Sequence, residues 1–515
     1  MTIRDFLRVY QYSIVNIQLK IRGVIKLSIV NRQSSIKSQS SIKSSRALVV
    51  GLGRSGLAAA RLLHFLKAEV TVTDTRDREA LSQTLKNLPG DIRVETGGHS
   101  PVLLEDTDMV VVSPGVSLNQ PFFDLARERG IEVIGEIELA FRVLMPYGIP
   151  WVAITGTNGK STTTTMIDLM LTREGFRVIT GGNLGTAITG DVLRCLRDGS
   201  AGDVDYVVVE VSSFQLESIR DFAPSLASIL NITPDHLDRY KDMEGYIEAK
   251  VEIFKNQTRD DCLILNLDDP LVRELGSHAH SEVFYFSGQE NPLTSRGGVT
   301  PPLPRGAYLR DGWLCINAEG EEGRIIRVED IGIKGVHNIE NALAASLNAF
   351  LCGVDMEAIR DVLSEFRGLE HRMEFVEEIE GVGFYNDSKG TNPGSVIKSL
   401  EDFQDGVILI LGGRDKGSDF SPLREYMKGR VKGLVVIGEA RDKILGQLDG
   451  VTATLEAEDM ADAVTKAYSM ARAGDVVLLS PGCASFDMFE DFEHRGEVFK
   501  KSVRRLKKKA LVIQE

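Results

Sequence analysis

The stretch Val152-Ala-Ile-Thr-Gly-Thr-Asn-Gly-Lys-Ser-Thr162 carries the residue types that hold the phosphates of a nucleotide. A short apolar run ends in two glycines, a lysine and two hydroxyl residues, and a helical pattern follows. Gly156 and Gly159, with Thr157 and Asn158 between them, let the backbone turn tightly and aim N–H groups at an anion. Lys160 supplies a point charge and Ser161 a hydroxyl for a magnesium ion. From Thr162 onward the helix adds its positive N-terminal end. The spacing departs from a strict Walker motif: Ile154 stands five residues before Gly159, and the first glycine falls later, at Gly156.

A second glycine-rich turn, Gly51-Leu52-Gly53-Arg54-Ser55-Gly56, follows an apolar strand and opens a helix, as a dinucleotide fingerprint does. Asp74 ends the next strand, near where an acid would meet a ribose. The loop Ser113-Pro114-Gly115 lies after a further apolar strand, where ligands of doubly wound sheets sit. Glu210 closes Tyr-Val-Val-Val-Glu, the place for an acid that holds a metal opposite a phosphate loop. His236 stands among acids in Thr233-Pro-Asp-His-Leu-Asp238, and Lys250 lies in a helical stretch where a solvated lysine is the ordinary expectation. Three polar loops crowd the last third: Asn386 to Pro393, Gly412 to Gly417 and Ser480 to Phe486. Three such loops on one domain suggest a ligand mouth. The run Lys500 to Lys509, seven Lys/Arg in ten residues, reads as a solvated terminal helix.

Alternating strand-like and helix-like runs must position these groups, the pattern of α/β domains with parallel sheets. Strands are expected at Ala47 to Val50, Val70 to Thr73, Asp108 to Val112, Ile131 to Ile134, Tyr206 to Val211, Ala227 to Ile232, Cys262 to Asn266, Val407 to Leu411, Gly433 to Ile437 and Val476 to Leu479. Helices are expected at Leu57 to Phe65, Glu244 to Phe254, Asn338 to Phe350 and Ala461 to Ala471. Gly288 to Gly323, rich in Gly and Pro, reads as loop or a small β excursion. Breaks at Met145 to Pro150 and Arg367 to His371 divide the chain into domains at 46–145, 146–367 and 368–515.

A chain of 515 residues is too long for one core. The net charge of -14 argues against a nucleic-acid binder that relies on bulk positive charge. Five scattered cysteines, without a CxxC pair, argue against disulfides and zinc and fit a reducing cytoplasm. No run of some twenty uninterrupted apolar residues offers a transmembrane helix. Residues 1–45 differ in kind: basic, with a Ser-Ser-Ile-Lys-Ser repeat from Ser34 to Ser45 that reads as disordered. Ile14 to Val30, apolar but broken by Lys20, Arg22 and Lys26, has the look of a membrane-surface helix or presequence; a dispensable tail ahead of a later start is the preferred reading.

In combination these motifs resemble the Mur ligase family, and within it the branch that adds D-glutamate. Gly-Thr-Asn-Gly-Lys-Ser-Thr, Glu210 to Glu217, Asn231 to Tyr240, Asn-Asp-Ser-Lys and Leu-Ser-Pro-Gly-Cys-Ala-Ser carry the likeness, from about Ala47 onward. The resemblance implies three α/β domains: an N-terminal Rossmann-like domain for a UDP-linked substrate, a central P-loop ATPase with a mostly parallel sheet, and a C-terminal Rossmann-like domain that closes over the site. It implies a cytoplasmic bacterial monomer of peptidoglycan precursor synthesis. ATP, UDP-N-acetylmuramoyl-L-alanine and D-glutamate would be its substrates and two magnesium ions its cofactors. By that likeness Lys160, His236 and Lys250 are catalytic. Ser161, Glu210, His236 and Lys250, the last as a carbamate, hold metal. Asn338, Asn341, Arg372 and Asp387 join the phosphate loop around ATP. Leu52 to Gly56, Asp74, Thr75, Arg76, Ser113 to Gly115 and Asn183 serve the UDP-linked substrate. Lys389, Thr391, Lys416, Ser485 and Phe492 serve D-glutamate. A sister ligase for another amino acid, a regulatory NTPase and a nicotinamide oxidoreductase are the rival readings; the last leaves the second phosphate loop, Glu210 and His236 without a role.

Overall fold

The computed structural model describes residues 42–183, 185–234, 239–290, 305–318, 322–333, 335–415 and 417–513, with side chains as far as Lys508. The readings placed on Ile14 to Val30, on Ser34 to Ser41, on His236 and on Lys416 lie outside the described residues. Ile42 to Ser45, expected to belong to the tail, are instead held against the first sheet, with Ile42 buried and Lys43 and Ser44 exposed. Ile42 is 3% exposed in the core of the first sheet, and Ser44 N–H donates to the Lys67 carbonyl.

Strands β1 (Arg46–Val50), β2 (Glu69–Asp74), β3 (Arg93–Thr96), β4 (Met109–Val112) and β5 (Glu132–Gly135) form an all-parallel sheet in the order β3-β2-β1-β4-β5. Ala-Leu-Val-Val in β1 and Met-Val-Val-Val in β4 are buried on both faces, as helices covering both sides of a parallel sheet require. The strand order reverses between β1 and β4. The loops that follow these strands therefore part there and leave a crevice at their carboxyl ends.

The second sheet holds β6 (Trp151–Thr155), β7 (Val178–Gly182), β8 (Tyr206–Glu210), β9 (Leu226–Ile229), β10 (Cys262–Asn266), β11 (Glu282–Glu290), β12 (Gly306–Arg310), β13 (Trp313–Asn317) and β14 (Glu322–Arg327). Its order is β14-β13-β12-β11-β10-β9-β6-β8-β7, antiparallel only at β12-β13-β14. The glycine-rich stretch read as loop or β excursion thus supplies edge strands, with residues 291–304 and 319–321 outside the description. These two sheets share one compact unit ending at Phe366. Edge-to-face contacts among Phe141, Trp151 and Phe222 fill part of their joint. Glu138, fully buried, accepts the backbone N–H groups of Arg220, Asp221 and Phe222 and pairs with Arg142 at 2.7 Å.

The second unit begins at Arg367. Its sheet, β15 (Glu374–Ile379), β16 (Val382–Asn386), β17 (Val407–Gly412), β18 (Val431–Ile437), β19 (Ala453–Glu456) and β20 (Val476–Leu479), runs β15-β16-β20-β17-β18-β19, with only β15 antiparallel. The long helix Phe492–Ile513 packs on it. That helix is not uniformly solvated, contrary to the expectation for Lys500 to Lys509. Lys500 is 4% exposed and reaches Glu370 at 2.8 Å, Glu374 at 3.1 Å and Glu497 at 2.7 Å. Burial by itself disfavours the ammonium, and the three acids around it offset that cost.

Candidate active site

The phosphate loop leaves β6 and enters the helix Lys160–Glu174 through Gly159, which adopts φ 84°; a Cβ there would lie 2.1 Å from Asn341 Oδ1. The loop is held from outside its own sequence. Thr157 N–H donates to the Asn231 carbonyl at 2.9 Å, and Asn158 N–H to Asn231 Oδ1 at 2.8 Å. Lys160 Nζ donates to the carbonyls of Gly156 and Thr157 at 3.0 and 2.9 Å. It thus lies across the loop, where an anion's charge would draw it.

Opposite, at the end of β8, Glu210 is 2% exposed. Ser161 Oγ donates to its Oε2 at 2.7 Å, and Asn183 Nδ2 to its Oε1 at 2.8 Å. A hydroxyl and a carboxylate buried side by side are hard oxygen donors, a set that suits a magnesium ion. Lys250 is 1% exposed, against the ordinary expectation of a solvated lysine. Its Nζ donates to the Gly156 carbonyl at 2.8 Å and lies 4.6 Å from the centre of the Tyr246 ring. Tyr246 in turn contacts Thr157 Oγ1 at 3.2 Å. Asn341 is buried beside Thr163, 3.4 Å away, with half-buried Asn338 at 3.5 Å.

In the crevice of the first sheet, Gly56 packs so closely that a Cβ would stand 1.8 Å from the Gly51 carbonyl oxygen. Ser113 Oγ donates to that same carbonyl at 2.7 Å, drawing the two loops together. Asp74, expected near a ribose, is engaged by the protein: Leu52 N–H donates to it at 2.7 Å, and Arg76 contributes its backbone N–H and a two-pronged guanidinium contact. Burial raises its carboxyl, but these hydrogen bonds outweigh it and bring the value down to about 2. Asp74 therefore organises the loop. Gly53, Arg54, Thr75, Arg76 and Gly115 are exposed at the mouth, Pro114 is half-buried, and Leu52 is buried.

In the second unit, the loops after β16, β17 and β20 meet. Asp387 is buried and accepts from Ser399 Oγ at 2.6 Å and Ser480 Oγ at 2.8 Å. Burial pushes its carboxyl up to about 6 against those bonds and the charge of Arg372. Lys389 Nζ lies 5.8 Å from the centre of the Phe492 ring, Ser485 is buried, and Thr391 is half-buried before the helix Pro393–Glu401. Arg414 bridges to Ala484 and pairs with Glu439 at 3.0 Å.

Two residues of this unit escaped the sequence reading. Arg495, 1% exposed, binds the loops after β16 and β20 together: it donates to Ser388 Oγ, to the Ser388 carbonyl and to the Cys483 carbonyl. Burial lowers its guanidinium to about 10. His371, beside Arg372, is buried with φ 63°, a conformation that costs energy outside glycine and often marks a functional segment. Neither had a signal in the sequence, since a buried Arg or His in a polar stretch looks like a solvated one. Among the described residues, Glu370, His371 and Glu497 have the spacing of a metal group, but the Lys500 ammonium bonds to both of its acids.

Comparison with known proteins gives three matching family profiles: "Mur ligase MurD-like, N-terminal domain" over residues 45–135, "Mur ligase middle domain" over 154–349 and "Mur ligase, glutamate ligase domain" over 371–483. The UDP-N-acetylmuramoylalanine--D-glutamate ligase of Acidobacterium capsulatum is 46% identical over 458 residues, 88% of this chain and 95% of the relative. That of Thermoanaerobacter sp. strain X514 is 42% identical over 468 residues, 90% of this chain and 99% of the relative. Among solved structures, a MurF of Acinetobacter baumannii superposes with TM-score 0.53 at 17% identity, covering 88% of this chain and 93% of that one. The UDP-N-acetylmuramate-alanine ligase of Thermotoga maritima gives 0.52 at 19%, covering 90% and 100%. At such identities the structures establish the shared three-domain α/β fold.

Proposed function

Because the chain belongs to the Mur ligase family, we propose that it joins D-glutamate to UDP-N-acetylmuramoyl-L-alanine at the expense of ATP, in peptidoglycan precursor synthesis. The observation that carries this reading is the constellation at the ends of β6 and β8: the phosphate loop with Lys160, and Ser161 and Asn183 both bonded to Glu210. A carboxylate is a poor acyl donor because oxide would have to leave. Transfer of the γ-phosphoryl group onto it gives an acyl phosphate whose leaving group is stable, and the amine of D-glutamate can then attack. Two anions must first approach each other.

Lys160 and the N–H groups of residues 156 to 162 neutralise and orient the ATP phosphates. Asn338, Asn341, Arg372 and Asp387 serve the nucleotide. Ser161 and Glu210 would hold one magnesium ion; His236 and Lys250, the latter as a carbamate, would hold a second. Magnesium supplies charge neutralisation between the phosphates and the incoming carboxylate. An ammonium cannot ligate a cation, so the metal role of Lys250 requires the carbamate, and its burial beside the phosphate loop is compatible with that demand. The first-sheet crevice, from Leu52 to Gly56, Asp74 to Arg76 and Ser113 to Gly115, takes the uridine diphosphate, with Asn183 toward the sugar-linked carboxylate. Lys389, Thr391, Lys416, Ser485 and Phe492 take D-glutamate. ATP and five free cysteines suit a cytoplasmic enzyme, and among the described residues no helix is long and apolar enough to cross a membrane. The enzyme works as a monomer.

The test is phosphate release from ATP and magnesium with UDP-N-acetylmuramoyl-L-alanine present, adding D-glutamate, L-glutamate, L-alanine or L-lysine separately. Release that requires D-glutamate, with a product heavier by one glutamyl unit, is expected. Release with another amino acid moves the chain to a sister ligase. Release indifferent to all of them overturns the ligase reading.

A further inference from the structure

Glu217 closes the segment that Glu210 opens, directly after the short helix Ser213–Leu216. Two consecutive residues converge on its carboxylate. Arg239 donates from Nε at 3.2 Å and from Nη2 at 2.6 Å, and the Tyr240 hydroxyl donates at 2.6 Å. The Arg239 guanidinium also lies 4.2 Å from the centre of the Phe214 ring, one helix turn before Glu217. A forked ion pair resting on an aromatic face holds the carboxylate in one place. Glu217 thus presents a fixed acceptor to the Tyr240 phenol.

From Tyr240 the contacts run toward the phosphate loop. Its ring packs on that of Tyr246, with 5.4 Å between centres. Tyr246 is 1% exposed, in the helix Met243–Val251, and its ring also carries Lys250 Nζ. The Tyr246 hydroxyl lies 3.2 Å from Thr157 Oγ1. Thr157 Oγ1 gives its single proton to the Thr233 carbonyl at 3.1 Å and accepts from the Thr233 N–H at 3.0 Å. It has no second proton to give, so Tyr246 is the donor in the remaining contact. Thr157 is therefore held by its side chain as well as by its backbone N–H, which donates to Asn231.

A phosphate loop grips its anion through backbone N–H groups, and a loop already in place loses less affinity to ordering. Gly156 and Gly159 let this loop turn but supply no side chain to hold it, so side-chain anchors between them matter. We propose that Glu217 is a positioning residue for the phosphate loop: it holds the Tyr240 phenol, the Tyr240 ring braces Tyr246, and the Tyr246 hydroxyl fixes Thr157. The same contacts tie the segment that begins at Glu210 to the helix that carries Lys250. This rests on the assignment of the phosphate loop to ATP.

The experiment titrates ADP with magnesium into the full chain by calorimetry, for wild type, Glu217→Ala, Glu217→Gln, Tyr240→Phe, Tyr246→Phe and the double variant Glu217→Ala/Tyr246→Phe. Thermal melting of each variant reports the folding of the unit that ends at Phe366. Glu217→Ala, Tyr240→Phe and Tyr246→Phe each bind ADP about tenfold more weakly, the scale of one good hydrogen bond. Glu217→Gln, whose amide oxygen still accepts from Tyr240, stays within about threefold of wild type. Glu217→Ala adds nothing once Tyr246 is phenylalanine, because both cut one path; a merely structural role would give independent losses that multiply. The inference is overturned if those losses multiply, if Glu217→Ala leaves ADP affinity within about twofold of wild type, or if Glu217→Gln falls as far as Glu217→Ala. Should Glu217→Ala fail to fold, Tyr240→Phe, which removes a single oxygen, decides: a tenfold loss supports the inference and an unchanged affinity sinks it. Wild-type protein that binds no ADP overturns the loop assignment itself, so the two failures are told apart.

Discussion

Asp74 and Asp387 are both buried carboxyls, and their partners drive them in opposite directions. Asp74 accepts from two backbone N–H groups and a guanidinium, whereas Asp387 accepts from two hydroxyls within a fully enclosed setting. Replacing Asp74 by Asn keeps the shape but removes the charge that holds Arg76. The expected result is a rise of about tenfold in KM for the UDP-linked substrate with little change in KM for ATP, read from steady-state kinetics. For Asp387 the folded value, about 6, lies above the ordinary 3.8. Its contribution to stability is then complete below about 3.8 and is lost as pH rises through about 6, on the order of 3 kcal/mol. Urea unfolding of wild type and Asp387→Asn between pH 4 and 7 checks this: the variant lacks that part of the decline.

At the scale of elements, two glycine-rich turns work for different reasons. Gly159 is needed because the chain enters its helix with φ 84° against Asn341, and Gly56 because a helix passes within contact of the Gly51 carbonyl. A Cβ at Gly56 would force backbone apart, and one at Gly159 would strain a left-handed residue and displace the Asn341 side chain. Gly56→Ala is expected to lower stability by about 2–4 kcal/mol and to abolish UDP binding. Gly159→Ala is expected to abolish ADP binding while UDP binding persists. Calorimetric titration of both nucleotides on both variants separates the two turns. The strand–turn–helix order that places these loops was legible from apolar runs ending in Gly. The strands β12, β13 and β14 were legible only as an alternative to loop, because the Gly- and Pro-rich segment around them breaks up the apolar signal.

At the scale of the whole molecule, the first two sheets share one compact unit, and buried acids tie them. Glu138 caps three successive backbone N–H groups across that joint while paired with Arg142. Glu138→Ala leaves those N–H groups without their acceptor and removes one of the carboxylates around the buried Arg142, which keeps Glu132 at 2.8 Å. It is expected to cost about 3–5 kcal/mol and to lower the melting of the unit ending at Phe366, while the unit from Arg367 onward keeps its own transition in differential scanning calorimetry.

The sequence by itself determined the α/β class, the two glycine-rich turns and the family, because these rest on local periodicity and on motifs contiguous in the chain. It also singled out Ser161 and Glu210, each marked by its own strand or helix end, and the structure brings the two within 2.7 Å. Only the tertiary structure decided that Asp74 braces a loop, that Lys250 and Lys500 are buried, that Glu136 caps a neighbouring helix and that Arg495 ties two loops together. The cause is physical. A charged side chain reads as solvated until the partners that compensate its burial are brought to it from distant parts of the chain, and only folding brings them.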